Sequence, residues 1–229
     1  MIKKTDVIDF FDRCAPSWDA EMVRSDEKIN TILDNAGVHS GSRVLDVACG
    51  TGVLMTDYLS RGAASVTGID ISPEMIKIAE QKFSQDNIRF VCGDVETADV
   101  GSAFDAIVIY NAFPHFPDQE RLIAHLATLL APDGILTVAH GASRETIDAH
   151  HHGFASKVSV GLMPAEELAD AQQAVGTGSV YWTRFGKSYH LDPNCHTLMR
   201  SSKVYRGTIE EAFEANRTDP CDFCALEQE

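Results

Sequence analysis

Apolar positions fall in two rhythms along this chain. Between residues 44 and 140, short unbroken apolar runs alternate with stretches of helical spacing. Val44 to Ala48, SVTGID (65–70), IRFVCGD (88–94), FDAIVIYNAF (104–113) and GILTVAH (134–140) read as five strands. Runs that are apolar on both sides suit parallel strands covered by helices. Ser72 as N-cap and Pro73 as first helical residue open PEMIKIAEQKF. Asp118 caps QERLIAHLATLL, which is expected to stop at Pro132-Asp133-Gly134. Strands alternating with helices mean βαβ units, right-handed crossovers and an α/β fold with a Rossmann-like doubly wound sheet.

The flanks differ. Residues 5–36 carry two helical patterns, one through Val7, Ile8, Phe10 and Phe11, one through Ile29, Ile32 and Leu33 with its stop at Gly37. After Gly141 the pattern loosens. SRETIDAHHHG and PAEELADAQQAV read as helices, and SVYWTR-FGK-SYHL as a hairpin around Gly186-Lys187. A last short helix, TIEEAFEANR, opens on a Thr208/Glu211 capping box. The expected division is a main domain over 1–176, with its N-terminal helices in 1–40, and a tail over 177–229 built from the hairpin and that helix. The hairpin either completes the main sheet or starts the separate module.

The densest chemistry lies in VLDVACGTGVL, residues 44–54. A buried strand runs into the glycine turn CGTG and on into a helix. Glycines at the carboxyl end of the first strand are where open α/β sheets bind nucleotides. A dinucleotide fingerprint would place a third glycine where Met55 stands, and no Gly-Lys-Ser/Thr ends the turn as in a P-loop. What remains is the turn, Asp46 inside the strand before it, and Asp70 at the end of the next apolar run. Asp70 sits where a ribose-binding carboxylate is expected.

This combination resembles the class I S-adenosylmethionine-dependent methyltransferases, and the Pro-Asp-Gly turn before strand five fits the same pattern. The resemblance spans about 140 residues and implies a cofactor site. Asp70 would accept from both ribose hydroxyls, and Ile71 would pack on the adenine. Asp94 would accept from the adenine amino group, with the Val95 N–H meeting a ring nitrogen. Ala48 and Gly50 would offer backbone groups to the methionine end, at the turn that includes Gly52, with Asp46 inside the strand before it. Asn111 would lie near the donor methyl. The helices of residues 1–40 would form a lid, with Phe11 and Trp18 either lining the pocket or serving as core aromatics.

The sulfonium methyl is already electrophilic, so the enzyme mainly aligns donor and acceptor and needs a base only for the acceptor's proton. His115, after strand four, is the first candidate for that base. Tyr110, His140 and the run His150-His151-His152 are the others. A methyltransferase acting on exocyclic amines of nucleic acids would show Asn/Asp-Pro-Pro-Tyr/Phe after strand four. YNAFPHF departs from that, which favours a small-molecule acceptor.

The tail carries YHLDPNC and DPCDFC. Cys221 and Cys224 have the CxxC spacing of a zinc knuckle, and His190 and Cys195 complete a Cys₃His set for a structural zinc ion. The arrangement is similar to the small zinc domain of adaptive-response DNA-repair methyltransferases, although the first position here is His190 where a cysteine would stand. His196 is a further candidate. A redox pair is the alternative reading of the CxxC, but it does not follow a strand of a βαβ unit.

Composition narrows the partners. The 229 residues carry a formal net charge of −15, which argues against nucleic acid and anionic membranes as partners. No apolar run reaches the length of a membrane span, and acids interrupt the N-terminal apolar stretch where a secretory signal would be. Six cysteines without an evenly spaced framework point to a reducing, cytoplasmic setting. Three functions compete. The first is methyl transfer to a small molecule. The second is a non-catalytic S-adenosylmethionine-binding protein whose zinc tail engages a partner. The third, a nicotinamide-dependent oxidoreductase, is disfavoured by Met55.

Overall fold

A computed structural model of the chain describes residues 2–143, 146–147, 149, 155–174, 180–183, 187–189, 204–207, 215–217 and 219–220. The chain divides into two compact units, residues 1–165 and 166–229. The expected boundary at 176/177 lies at the far side of a helix that the division places in the second unit.

The first unit is organised by a five-stranded sheet in the order β3-β2-β1-β4-β5, with every pairing parallel. The strands are β1 (Arg43–Val47), β2 (Ser65–Asp70), β3 (Ile88–Cys92), β4 (Phe104–Tyr110) and β5 (Leu130–Ala139). The chain steps outward from β1 to β3, then returns to the other side of β1 as β4. That reversal makes a crevice at the carboxyl ends of β1 and β4, where ligands of such sheets bind. The central strands are sealed on both faces. Val44, Leu45, Ile107, Val108 and Ile109 are buried. This is why their runs read as continuous rather than alternating.

Helices α1 (Lys4–Cys14), α2 (Trp18–Glu21) and α3 (Asp26–Asn35) precede the sheet. Ser25 caps α3, and its end turns on Gly37 at φ +68°. Helix α4 (Met55–Ser60) follows the glycine turn. Met55 is fully buried, its methyl group over Gly68. Ser72 caps α5 (Pro73–Lys82) by accepting from the Met75 N–H, and Asp118 caps α6 (Gln119–Ala127) through the Arg121 N–H.

Two expectations are corrected here. Helix α6 ends at Ala127, and Pro132-Asp133-Gly134 lies inside β5 instead of before it. The ladder pairs Phe104 with Leu130 and then Ala106 with Ile135, so the intervening residues bulge out. Asp133 takes the left-handed conformation at φ +64°. The second correction is the hairpin. In the second unit, α7 (Ala165–Ala174) is followed by β6 (Val180–Thr183), β7 (Ser188–Tyr189), β8 (Val204–Gly207) and β9 (Asp219–Pro220). Strand β6 pairs antiparallel with β8, and β7 pairs parallel with β9. Among the described residues, β6 and β7 do not pair with each other or with the five-stranded sheet. The tail helix expected over TIEEAFEANR falls outside the described residues, apart from its end.

Candidate active site

A cleft of about 1080 Å³, its open mouth included, lies at the carboxyl ends of β1, β2 and β4 and reaches the loop after β3. Its floor is the glycine turn. Ala48, Cys49 and Gly50 line it, and so does Asp46 from within β1. Ala48 holds φ +56° and Gly50 φ +57°. A left-handed alanine is costly, and such strain collects where a ligand must approach the backbone.

Asp70 reaches this turn from the end of β2. Its Oδ2 accepts from the Gly50 N–H at 2.8 Å and its Oδ1 from the Ser72 N–H at 2.9 Å. Burial raises its carboxyl to about 6, against the pull of those two amides. Asp46 is only 2% exposed. Burial pushes it further, to about 8, while the Tyr58 phenol, close by but without a well-formed hydrogen bond, acts in the opposite sense. Both carboxyls thus carry perturbed affinities for protons in one cleft, a mark of functional sites.

The loop after β3 brings Asp94 and Val95 to the same cleft. Asp94 Oδ1 accepts from the Glu96 N–H at 3.1 Å, and its Oδ2 is ion-paired with Lys4. Lys4 also meets Glu96 at 3.0 Å, which Arg121 grips with two further bonds. The Val95 carbonyl accepts from His125 Nε2 at 3.0 Å. Ile71 lines the cleft beside the α1 residues Val7 and Phe11. On the other side Asn111 holds φ +56°, and its Oδ1 accepts from the Gly141 N–H at 2.7 Å.

His115 lines the cleft too, on a single 3₁₀ turn after β4. Its Nδ1 donates to the Val158 carbonyl at 2.8 Å, so the neutral ring carries its lone pair on Nε2. Phe11 packs edge-on against this imidazole at 4.9 Å and against Trp18 at 5.8 Å. Phe11 and Trp18 therefore line the pocket, and Phe11 also packs against the buried cluster of Val7, Ala155 and Val158. Tyr110 also lines the cleft, His140 is not among its lining residues, and His150 to His152 lie outside the described residues.

All the expected cofactor residues but one are gathered here. Gly52 is the exception: it does not line the cleft. It holds φ +81°, and a β-carbon there would stand 2.8 Å from the Phe83 ring. Its role is to let the turn pack on α5's end, not to meet a ligand. Sequence reasoning missed Lys4, Met22 and Phe116, which also line the cleft. Lys4 and Met22 arrive from the N-terminal helical region with no local signal, while Phe116 directly follows His115 in YNAFPHF. The expected zinc ligands His190, Cys195, Cys221 and Cys224 all lie outside the described residues. Among the described residues, no group of three or more His, Cys, Asp or Glu side chains could hold a metal ion. No helix among them is long and apolar enough to cross a membrane.

Known proteins bear on this geometry. Residues 44–134 match the model of a methyltransferase domain. The chain is 36% identical over 139 residues to malonyl-[acyl-carrier protein] O-methyltransferase of Acetivibrio thermocellus, covering 59% of this chain and 49% of that protein. It is 39% identical over 100 residues to ubiquinone biosynthesis O-methyltransferase of Coxiella burnetii, covering 42% of each. The chain spans about half the length, or less, of these curated relatives. Magnesium protoporphyrin IX methyltransferase from Synechocystis PCC 6803, solved with bound SAH, matches with a TM-score of 0.59 at 21% identity. That match covers 76% of this chain and 89% of that one. At that identity the likeness concerns the fold. The parallel sheet with flanking helices fits a Rossmann-like methyltransferase fold, and the stretch that matches the methyltransferase domain lies within that sheet.

Proposed function

We propose that the chain is an S-adenosylmethionine-dependent methyltransferase acting on a small-molecule acceptor. The observation that carries this reading is the convergence of Asp70 and Asp94, from the ends of two neighbouring strands, on one cleft floored by the glycine turn. In this reading Asp70 would hold the ribose and Asp94 the adenine amino group, with Ile71 and Val95, which line the same cleft, beside them. Cofactor carboxylates at this end of the sheet also suit a ligand that carries a sulfonium charge.

The acceptor would enter between Asn111, His115 and the aromatics Phe11 and Trp18. His115 is proposed as its base, because the Val158 carbonyl orients the ring and leaves the Nε2 lone pair as the proton acceptor of the neutral form. Methyl-labelled S-adenosylmethionine offered with hydroxyl, thiol, amine and carboxyl compounds, one of them a malonyl-carrier protein, tests the whole reading. Label transfer to any of them supports it. Cofactor binding without transfer across the panel would favour the non-catalytic binding protein. With an acceptor in hand, His115→Ala should slow transfer, leave cofactor affinity little changed, and matter less as rising pH ionises the acceptor unaided. A loss equal at every pH would assign His115 to positioning.

For the tail, we propose a structural zinc ion on His190, Cys195, Cys221 and Cys224, supported by ligand type, number and spacing in the sequence. Metal analysis should return one zinc per chain, and well under one would rule it out.

A further inference from the structure

Trp18 stands where α2 meets the glycine turn, and its indole Nε1 is buried without a hydrogen-bond partner among the described residues. A buried N–H left unpaired is rare and costly, so such a group points to a partner that arrives with a ligand. The indole lines the cleft, and its Nε1 lies 3.7 Å from where a β-carbon on Gly50 would stand. The donor is therefore placed over the turn and not over the adenine end of the site, which Asp94 and Val95 occupy.

Two further observations fix what it would hold. The first is that the turn's own donors are largely spent. The Gly50 N–H goes to Asp70, the Cys49 N–H to the Ile69 carbonyl at 3.0 Å, and the Gly52 N–H to the Cys49 carbonyl at 3.0 Å. An anion arriving at this turn needs a donor from elsewhere. The second is that the indole is clamped in place. Its neighbour Asp19 accepts from Thr51 Oγ1 of the turn at 2.5 Å and from Lys82 Nζ at 2.7 Å. Phe11 packs edge-on against the ring at 5.8 Å.

We propose that the Trp18 indole N–H donates to the carboxylate of the cofactor's amino acid end, making it a specificity-determining residue for the intact cofactor. This rests on the cofactor reading given above. A neutral N–H suits this contact, because it adds no charge next to the cofactor's sulfonium and acts as a donor only. The N-terminal helices thereby contribute a direct ligand contact at the end of the cofactor opposite the adenine.

The test compares two ligands that differ at that end. S-adenosylhomocysteine carries the carboxylate, and 5′-methylthioadenosine lacks the whole amino acid portion. In calorimetry, Trp18→Phe should bind S-adenosylhomocysteine about 10-fold or more weakly, the effect of losing one hydrogen bond to a charged group. Its affinity for methylthioadenosine should stay within about 2-fold of the wild type. Equal losses for both ligands would show that the indole only packs, and no loss for either would show that it does nothing for binding; both overturn the proposal. If a circular dichroism melt shows that Trp18→Phe does not fold, β-(3-benzothienyl)alanine incorporated at position 18 keeps the ring shape and removes the N–H, with the same outcomes decisive. A wild-type chain that binds methylthioadenosine but discriminates against S-adenosylhomocysteine also overturns it. A wild-type chain that binds neither ligand sinks the cofactor reading itself, and the proposal with it.

Discussion

On the floor of the cleft, Asp70 is closed on by the Gly50 and Ser72 amides, Asp46 is sealed within β1, and the strands around them are fully covered. The N-terminal helices, which we propose act as a lid over the cleft, are attached otherwise. Lys4 reaches Asp94 and Glu96, Asp12 accepts from the Ser72 hydroxyl at 2.5 Å, and Asp19 holds Thr51 and Lys82. These are side-chain contacts near the surface: Lys4 is 42% exposed and Asp19 45%. Backbone amides and burial fix the floor before any ligand arrives. Part-exposed ion pairs and hydrogen bonds add to the packing of Val7 and Ala15 in holding these helices, and such pairs are weak and screened by salt. This division suits the proposed lid role, because the elements that open come from the less stable end of a fold.

The sharpest way to break the contrast is at Gly52. Alanine there meets both a left-handed backbone and the Phe83 ring 2.8 Å from its β-carbon. Strain and overpacking together should cost about 2–4 kcal/mol, read from the urea midpoint. A loss below about 1 kcal/mol would mean the floor yields as readily as the lid.

Next comes the buried charge of Asp46. Its carboxyl titrates near 8 in the folded apoprotein against an ordinary value of 3.8, so the folded chain holds the proton more tightly than the unfolded one. Stability is then fullest below pH 4 and falls as pH rises towards 8. Asp70 adds a smaller loss of the same sign between about 4 and 6. Asp46→Asn should therefore melt above the wild type at pH 9 by about 5 °C, roughly 1–2 kcal/mol, and converge with it near pH 4. A melting curve that is flat across this range in the wild type would contradict the buried charge.

The smallest effects should come from the lid. Lys4→Met and Asp19→Asn should each cost less than about 1 kcal/mol of stability, and the cost should shrink in high salt. A salt-insensitive loss of several kcal/mol would make the lid part of the permanent framework.

The same contrast explains what could be read in advance. The floor is local in sequence: strand, turn and helix follow one another within residues 43–60, and Asp70 and Asp94 close the next two strands. Periodicity and glycine spacing carry that information directly. The lid's contacts join residues 90 apart for Lys4 and Asp94, and 60 apart for Asp12 and Ser72. No local pattern specifies them. The left-handed Ala48 was equally hidden, since alanine does not advertise a positive φ as glycine does. Pro132-Asp133-Gly134 has the composition of a stop, yet here it forms a bulge that β5 absorbs between two ladder pairs. The pairing of β6 with β8 was missed for a similar reason: alternation around a glycine satisfies a hairpin, and the partner chosen in the fold lies over 20 residues away.

Everything proposed for the cleft depends on Asp70, set by backbone amides on a pre-formed floor, receiving the ribose of S-adenosylmethionine. The decisive measurement is a titration of the full chain with S-adenosylhomocysteine, wild type beside Asp70→Ala. One site per chain is expected in the wild type, with an affinity that weakens as pH falls below about 6, where Asp70 takes up its proton. The variant should lose about 1.5–3 kcal/mol of binding. Unchanged affinity in a folded Asp70→Ala chain, or no binding by the wild type, would contradict it.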